Sequence, residues 1–412
     1  MKNFKSFILT NTLGTFLEYL DATLYAFFAG LIAQDFFPKE NPTTGLIMSF
    51  GVFGIAFLAR PFGALLFGYL GDRYGRRNIL AMNILLMALA TMGIGAIPSY
   101  SRWGIMAPLA LICCRLLQGL AVSSEYTGSS VYILETVPKH HGLFSGISTA
   151  AGSFGIFGAS FLAMQLSHFH AEHYWRWIFI FCGLVIGLLG FYLRRNQPES
   201  LAFLKAQKNH SLHEQPSIVL WQRYRKEFFL GIALSMYLGV VLYTVLVYSA
   251  TYLKQLGMAP EQALTISTFL ALVEAGMAIF FGWLADRVGL RLLLFVAALL
   301  MVIVAVPLFI FISADHFWKT AVVLGVLAIL TGAFDGPIAA YLINQFDVSV
   351  RHSGVSLSYN LGGAVVGGLT PMVLTYALEK THLAIFPSFL LVGFGIMAVF
   401  ILWKRSHITR SS

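Results

Sequence analysis

Long apolar runs recur from one end of this chain to the other, and that recurrence restricts its fold more than any other feature. A helix needs about 20 residues to cross the hydrocarbon of a bilayer. Twelve stretches reach that length, at roughly 10–34, 44–70, 78–98, 104–135, 142–167, 174–194, 226–253, 261–284, 290–313, 318–345, 353–378 and 384–403. With 58% apolar and 11% charged residues, too little polar surface is left to coat a soluble globule. Backbone groups in lipid find no water to bond, and Gly/Pro punctuation without short alternating segments argues for helices over a barrel. The expected fold is an all-α polytopic membrane protein with twelve transmembrane helices, called spans one to twelve below.

Basic residues orient these spans. With both termini placed in the cytoplasm, 19 of the 27 Lys and Arg residues fall on that side and six on the other, leaving Arg60 and Arg115 at membrane depth. The positive-inside rule selects this arrangement, and a bacterial inner membrane is the expected location. The net charge of +9 is then spread over one membrane face, so no nucleic-acid partner is inferred; the lipid bilayer and a small-molecule substrate are the partners expected of a monomer. Glu18 and Asp21 in span one, with no small-residue cleavage site, mark a permanent helix instead of a signal peptide. Cys113, Cys114 and Cys182 lie within spans at no disulfide or metal spacing. The polar stretch 196–225, with room for one surface helix, links a six-helix bundle over 1–195 to a second over 226–412.

A short basic signature occurs at the same place in each half. Gly68, Gly71, Asp72, Arg73, Gly75, Arg76 and Arg77 form the first copy, and Gly282, Asp286, Arg287, Gly289 and Arg291 the second, with Asp72 and Asp286 214 residues apart. Each copy must be a tight turn between helices, and such duplication is the pattern of carriers built from two repeats around a central site. Asp72 can accept hydrogen bonds from the N-terminus of a neighbouring helix. Arg73, Arg76 and Arg77 can pair with a carboxylate at the same end of another span, for which Glu135 is the candidate. With Asp286, Arg287 and Arg351, these residues make a latch that holds one conformation and opens in the other; Arg60, beside Pro61, joins them as a latch or kink residue.

With these residues in hand the chain resembles the major facilitator superfamily, and within it the metabolite:proton symporter branch that includes proline/betaine, 2-oxoglutarate, citrate and shikimate carriers. The segments that carry the resemblance are Glu18 to Asp21, Leu58 to Gly63, Arg115 to Gly119, Glu125 to Gly128, Arg351 to Gly354, Tyr359 to Gly362 and Gly367 to Pro371. The stretch around Glu125 looks most like the proline/betaine carriers. Departures stand beside it: Ser123 and Ser124 replace a usual Gly pair, Leu290 replaces an Arg, and Glu274 and Asp335 are acids where neutral residues are expected. The long C-terminal extension of osmosensing carriers is not found before Ser412, so osmotic activation is not expected. The drug-antiporter motif of span five needs a Pro, and none occurs between Gly142 and Gly187.

Ionisable residues at membrane depth are costly and persist where they face a cavity or a partner. Glu18 and Asp21 lie three apart and Tyr25 seven from Glu18, so a helix puts all three on one face. In span four Gln118 and Glu125 are seven apart, with Arg115 one turn before Gln118. Carboxylates beside a cation can load a proton on one side and release it on the other as their neighbours change; a structural Arg115–Glu125 ion pair is the alternative. In the second half Tyr237, Thr244 and Tyr248 fall near one face of span seven, with Tyr252 beside them, and Glu274 and Asp335 bring negative charge. Aromatic faces and carboxylates suit a cationic or zwitterionic ligand, although tyrosines also serve as packing. Asn360 completes the cavity candidates, and Asp335 before Gly336 and Pro337 suggests a local break in span ten. His168, His170, Glu172 and His173 share an outward loop that reads as solvated more simply than as metal-binding. No metal or cofactor is expected, with protons as the coupling ion.

The function expected is proton-coupled import of a small polar metabolite by alternating access, an amino acid or betaine-like zwitterion or cation being favoured. Organic-acid:proton symport and proton-driven export of cations or drugs are the alternatives within transport. A non-transporting sensor would need a signalling domain, and an enzyme would need a nucleophile–base or metal constellation at depth; the sequence offers neither. Reporters inserted near His210 and after Arg410 should both read as cytoplasmic, and a periplasmic signal at either would overturn the twelve-span topology.

Overall fold

Helices account for nearly all of the computed structural model, which describes residues 2–38, 41–74, 76–123, 125–137, 139–195 and 216–408. Span one is Lys2–Phe27 continued by Ala29–Phe36 after a 57° bend at Phe28. Spans two and three are Pro42–Tyr74 and Arg76–Ala96; span four is Met106–Val122 followed by Glu125–Thr136; spans five and six are His141–His168 and Trp175–Arg195. After the short helix Pro216–Arg223 comes span seven, Arg225–Leu242 and Ser249–Gln255 joined by a π-helical turn at Tyr243–Val247. Spans eight, nine and ten are Pro260–Val288, Leu290–Ile310 and Phe317–Ile343. Span eleven is Val348–Tyr359 and Val365–Thr381 around a second π turn, Asn360–Ala364, and span twelve is Phe386–Ile408. Ten of these are long and apolar enough to cross a membrane, the bent first span makes an eleventh, and Ala81–Ala96 in span three is apolar but shorter.

The packing is inside-out, as lipid demands. Large apolar side chains such as Phe62, Leu188, Trp318 and Phe400 are exposed, whereas Glu18, Asp21, Arg115, Glu274 and Asp335 are buried. In an 18-residue apolar stretch of spans seven and ten 83% of the residues are buried within the protein, against 33% in spans six and twelve, so the first pair lies in the interior and the second faces lipid. Helices in lipid gain nothing from the hydrophobic effect by associating; they rely on close approach at small residues. Span five shows this on two faces. A methyl group on Gly155 would stand 2.5 Å from the Phe16 carbonyl oxygen of span one, and one on Gly146 would stand 2.3 Å from the Ala278 carbonyl oxygen of span eight.

The break expected in span ten is absent, since the helix runs unbroken through Asp335, Gly336 and Pro337. The reason lies in the opposite bundle. Ser145 of span five donates to the Gly336 carbonyl at 2.6 Å and accepts from the Ala340 N–H at 3.3 Å, and Thr149 donates to the Asp335 carbonyl at 3.3 Å. The Asp335 and Gly336 carbonyls are therefore taken by side chains and do not open to a cavity. The breaks fall elsewhere, at Phe28 and at the two π turns, where no Pro signals them.

Spans five and eight form a seam between the bundles, closed on the side that bears the signature loops. There Asp286 of the second signature accepts from the Gly142 N–H at 2.7 Å and the Leu143 N–H at 2.9 Å, capping the N-terminus of span five. The carboxylate meets both orphan donors and the positive end of the helix dipole. Gly282 lies where a methyl would come within 2.4 Å of the Gly142 carbonyl oxygen. Caps of this kind are worth about 1 kcal/mol, so Asp286→Ala should shift the protein several-fold toward the state open on the loop side. Labelling by a thiol reagent of a cysteine substituted for Ala364, in the interior, should accelerate accordingly.

Candidate functional site

A small cavity lies between the bundles, with about 400 Å³ of empty space among its lining atoms when the adjoining solvent is included. Its polar lining is Glu18 and Tyr19 from span one, Arg60 from span two, Tyr243 from span seven and Tyr359 from span eleven. Arg60 Nη1 stands 3.6 Å from Glu18 Oε1, and its guanidinium lies 4.3 Å from the Phe57 ring centroid. The Tyr19 and Tyr359 hydroxyls meet across the bundles at 2.9 Å, and the Tyr126 ring packs against both, with centroids 5.7 and 5.2 Å away. Tyr243 opens the π turn of span seven and rests edge-on against Phe57 at 5.5 Å. Its ring fits only because span eleven has Gly367 beneath it, where a methyl would come within 2.6 Å of the ring. One anion, one cation and three phenols thus share a space sealed from lipid.

Beside the cavity, inside the first bundle, is a second buried network. Asp21 of span one accepts from Thr91 of span three and from Gln118 Nε2 of span four at 3.2 and 3.1 Å. Gln118 Nε2 also donates to Thr91 at 2.7 Å, while Gln118 Oε1 accepts from Arg115 Nη1 at 2.8 Å. Arg115 Nη2 donates to the Phe53 carbonyl at 3.2 Å, and the guanidinium lies 4.5 Å from the Tyr25 centroid. The Tyr25 hydroxyl meets Ser49 at 3.3 Å. Asp21 and Arg115 therefore communicate through the Gln118 amide and not by direct contact, which ties spans one, two, three and four together.

The expected face of span one splits in this way: Glu18 enters the cavity, whereas Asp21 and Tyr25 turn into the bundle. Arg60, expected in the latch, instead faces Glu18 in the cavity. In span seven the π turn breaks the assumed register. Tyr237 packs against Phe334 at 4.7 Å, Tyr248 donates to Gln255 at 2.6 Å, and Tyr252 donates to the Ala384 carbonyl at 2.7 Å; none of them lines the cavity. Tyr243, which the sequence reading passed over, takes the place meant for them, and nothing in the spacing signals a π turn. Tyr19 and Tyr359 were quoted only as motif neighbours, yet both belong to the lining. Glu274 and Asp335 lie in the bundle seam, outside the cavity, and Asn360 donates to the Ser123 carbonyl at 2.7 Å across the bundles.

Latch candidates fall on the loop side, but with different partners. Glu135 pairs with Arg351 of the other bundle at 3.2 Å, where the sequence suggested Arg73, Arg76 or Arg77. Arg287 stacks 3.9 Å from the Trp283 centroid on its own helix and reaches no acid among the described residues. Side chains of Gly68, Asp72, Arg73, Gly75, Arg76, Arg77 and Glu125, and the linker over 196–215, lie outside the described residues. On the far side Phe50 meets Tyr248 at 6.1 Å, Gly54 packs against Gly368 and Leu369, and His168 pairs with Glu261 at 2.6 Å. Contacts between the bundles thus close both ends of the cavity. The histidine loop offers no metal site among the described residues.

Two helical bundles around a sealed, charged cavity define a secondary transporter that carries a small molecule through a membrane. A family model described as Major Facilitator Superfamily matches residues 12–371, and the chain belongs to that family. The proline/betaine transporter of Escherichia coli (strain K12) is 29% identical over 403 residues, covering 94% of this chain and 80% of that protein. The proline/betaine transporter of Salmonella typhimurium (strain LT2) is similar to the same extent, at 29% over 403 residues. Among solved structures, the D-xylose-proton symporter aligns with a TM-score of 0.76 at 19% identity over 97% of each chain. The inward-open xylose transporter from E. coli gives 0.71 at 18%, over 97% of this chain and 96% of that one. These structures share the fold.

Gln118 is the joint of the buried network, so Gln118→Leu should strand Arg115 Nη1 and remove two contacts to Asp21. Buried groups left without partners cost about 1–3 kcal/mol each, and thermal unfolding in detergent should register the loss. Thr91→Val, which leaves Gln118 bonded to both Asp21 oxygens, should cost less.

Proposed function

We propose that the protein imports a small zwitterion, an amino acid or a betaine, together with protons. The observation that carries this reading is the Glu18–Arg60 pair set among Tyr19, Tyr243 and Tyr359 in the closed cavity. At 3.6 Å the pair is longer than the 2.7–2.9 Å of a strong charge-assisted hydrogen bond, so a substrate carboxylate can replace Glu18 on the guanidinium at small cost. The cationic end of the same molecule then rests against phenol faces, as quaternary and primary ammonium groups favour. Proline and betaine are the compounds named for the relatives at 29% identity, and both carry these two charges.

Coupling follows from the same exchange. Glu18, displaced from Arg60 while the cavity faces outward, is a buried anion without its cation and takes up a proton. The occupied cavity then carries one net positive charge, the cationic end of the substrate held against the phenols, and the bundles close. When the loop side opens, substrate and proton leave, and the Glu18–Arg60 pair re-forms. No cofactor enters the cycle, and the chain works as a monomer in the bacterial inner membrane with both termini cytoplasmic. Organic-acid symport would use Arg60 alone and leave the phenol cage without a role.

Proteoliposomes containing the purified protein should accumulate labelled proline or glycine betaine when an inward proton gradient is imposed, and lose that accumulation with a protonophore. Glu18→Gln should abolish accumulation while retaining exchange of internal for external substrate, because exchange needs no net proton movement. Arg60→Lys, which gives up the planar fork that grips a carboxylate, should weaken binding about tenfold, equivalent to about 1.4 kcal/mol. A sodium requirement, or equal uptake of carboxylates that have no cationic group, would overturn the proposal.

A further inference from the structure

Glu274 and Asp335 are buried where spans eight and ten press on span five of the other bundle, and neither lines the central cavity. Glu274 is 0% exposed and Asp335 4%. The groups that face them are few. Glu274 has Asp335 from span ten, Ser153 from span five and Tyr126 from span four, while Asp335 also has Tyr19 from span one and Tyr359 from span eleven. Among the described residues, neither carboxyl forms an ion pair with a Lys, Arg or His. Two anions side by side in such a place, with no cation to balance them, are strongly disfavoured.

Counting protons gives a second, independent reason. The Ser153 hydroxyl owns one proton and has two acceptors within reach, the Thr149 carbonyl at 3.2 Å and Glu274 Oε2. If Glu274 is a carboxylate, one of those contacts lacks a proton, and its Oε1, which has no hydrogen-bond partner, is a bare anionic oxygen. If Glu274 is the neutral acid, it donates through Oε2 to Ser153, Ser153 donates to Thr149, and both bonds hold together. Spans eight and ten pack tightly here. A methyl on Gly332 would come within 2.9 Å of the Glu274 carbonyl oxygen, and one on Gly336 within 2.3 Å of the Ala278 carbonyl oxygen, so the backbones touch at this level.

We infer that Glu274, with Asp335 beside it, is a second proton-binding site, set in the moving seam between the bundles and loaded whenever that seam is shut. Because Ser153 and Thr149 belong to one bundle and the two acids to the other, parting the bundles removes the acceptor and admits water, and the acid releases its proton. Closure at this depth requires the proton back. The site differs from Glu18 in place and in role: it senses contact between the bundles, whatever the cavity holds.

Infrared difference spectra of the purified full-length protein, recorded through a pH titration, report the C=O stretch of protonated carboxyls. One component should vanish in Glu274→Gln, shift in Ser153→Ala, where the acid loses its hydrogen-bond acceptor, and persist in Glu18→Gln. Ser153→Ala keeps every titratable group, so the experiment stands even if Glu274→Gln does not fold. A spectrum with no component sensitive to Ser153→Ala, or one whose only protonated carboxyl disappears in Glu18→Gln, overturns the inference. The band does not depend on which substrate is carried, so its absence would leave the cavity reading intact, and failure of proton-driven uptake would leave the band to be judged by itself.

Discussion

Backbone-to-backbone contact along span five is the interaction on which the rest of this structure depends. Lipid gives helices no hydrophobic reason to associate, so a bundle interface has to be won by close approach, and bulky side chains prevent it. Gly142 and Gly146 let span five touch span eight, while Gly152 and Gly155 let its other face touch span one. The same helix therefore reads the other bundle by its first face and belongs to its own by its second. Every polar contact across the seam, from the Asp286 cap to Ser153 on Glu274, is within reach only because those backbones are already so near.

The two bundles divide the chemistry unequally. The first supplies Glu18 and Arg60 to the cavity and keeps Asp21, Gln118 and Arg115 in a network behind them. The second supplies Tyr243 and Tyr359 to the cavity and keeps its own acids, Glu274 and Asp335, in the seam. The charged lining is thus a property of one half and the aromatic lining largely of the other. Under the function proposed above, a ligand between them would be held by unlike forces from opposite sides and would draw the halves together only if it had both a charge and a face or cation for the phenols.

Much of this was legible in the sequence, for identifiable reasons. The helical spans and the burial of Glu18, Asp21, Arg115 and Gln118 follow from hydrophobic length and the cost of buried charge, which act locally. Asp286 was expected in the latch, and the helix capping expected of Asp72 in the first signature is what Asp286 of the second does at span five. The failures share a cause. The face assigned to Tyr237 and Tyr248 was not the one that meets the cavity, which is lined by Leu238, Gly239, Leu242 and Tyr243, and the π turn at Tyr243–Val247 breaks the 3.6-residue period that joined Tyr237 to Tyr248. The break assigned to Pro337 presumed that a proline in a helix exposes its neighbours, and Ser145 from a distant span covered them. Glu135 was matched with Arg73, Arg76 or Arg77 of the first signature in its own half, whereas its partner Arg351 lies 216 residues away.

The Ser145 contact has a consequence for span ten itself. The Gly336 carbonyl and the Ala340 N–H are four residues apart, the two ends of one helical turn beside Pro337, and a single hydroxyl from the opposite bundle touches both. When span five moves away, that turn gives up its outside partner and its two groups are left to each other. Span ten therefore has part of its main chain bonded to its neighbour's side chain: the two halves do not slide past each other as finished solids, since polar backbone of one is shared with the other until they part.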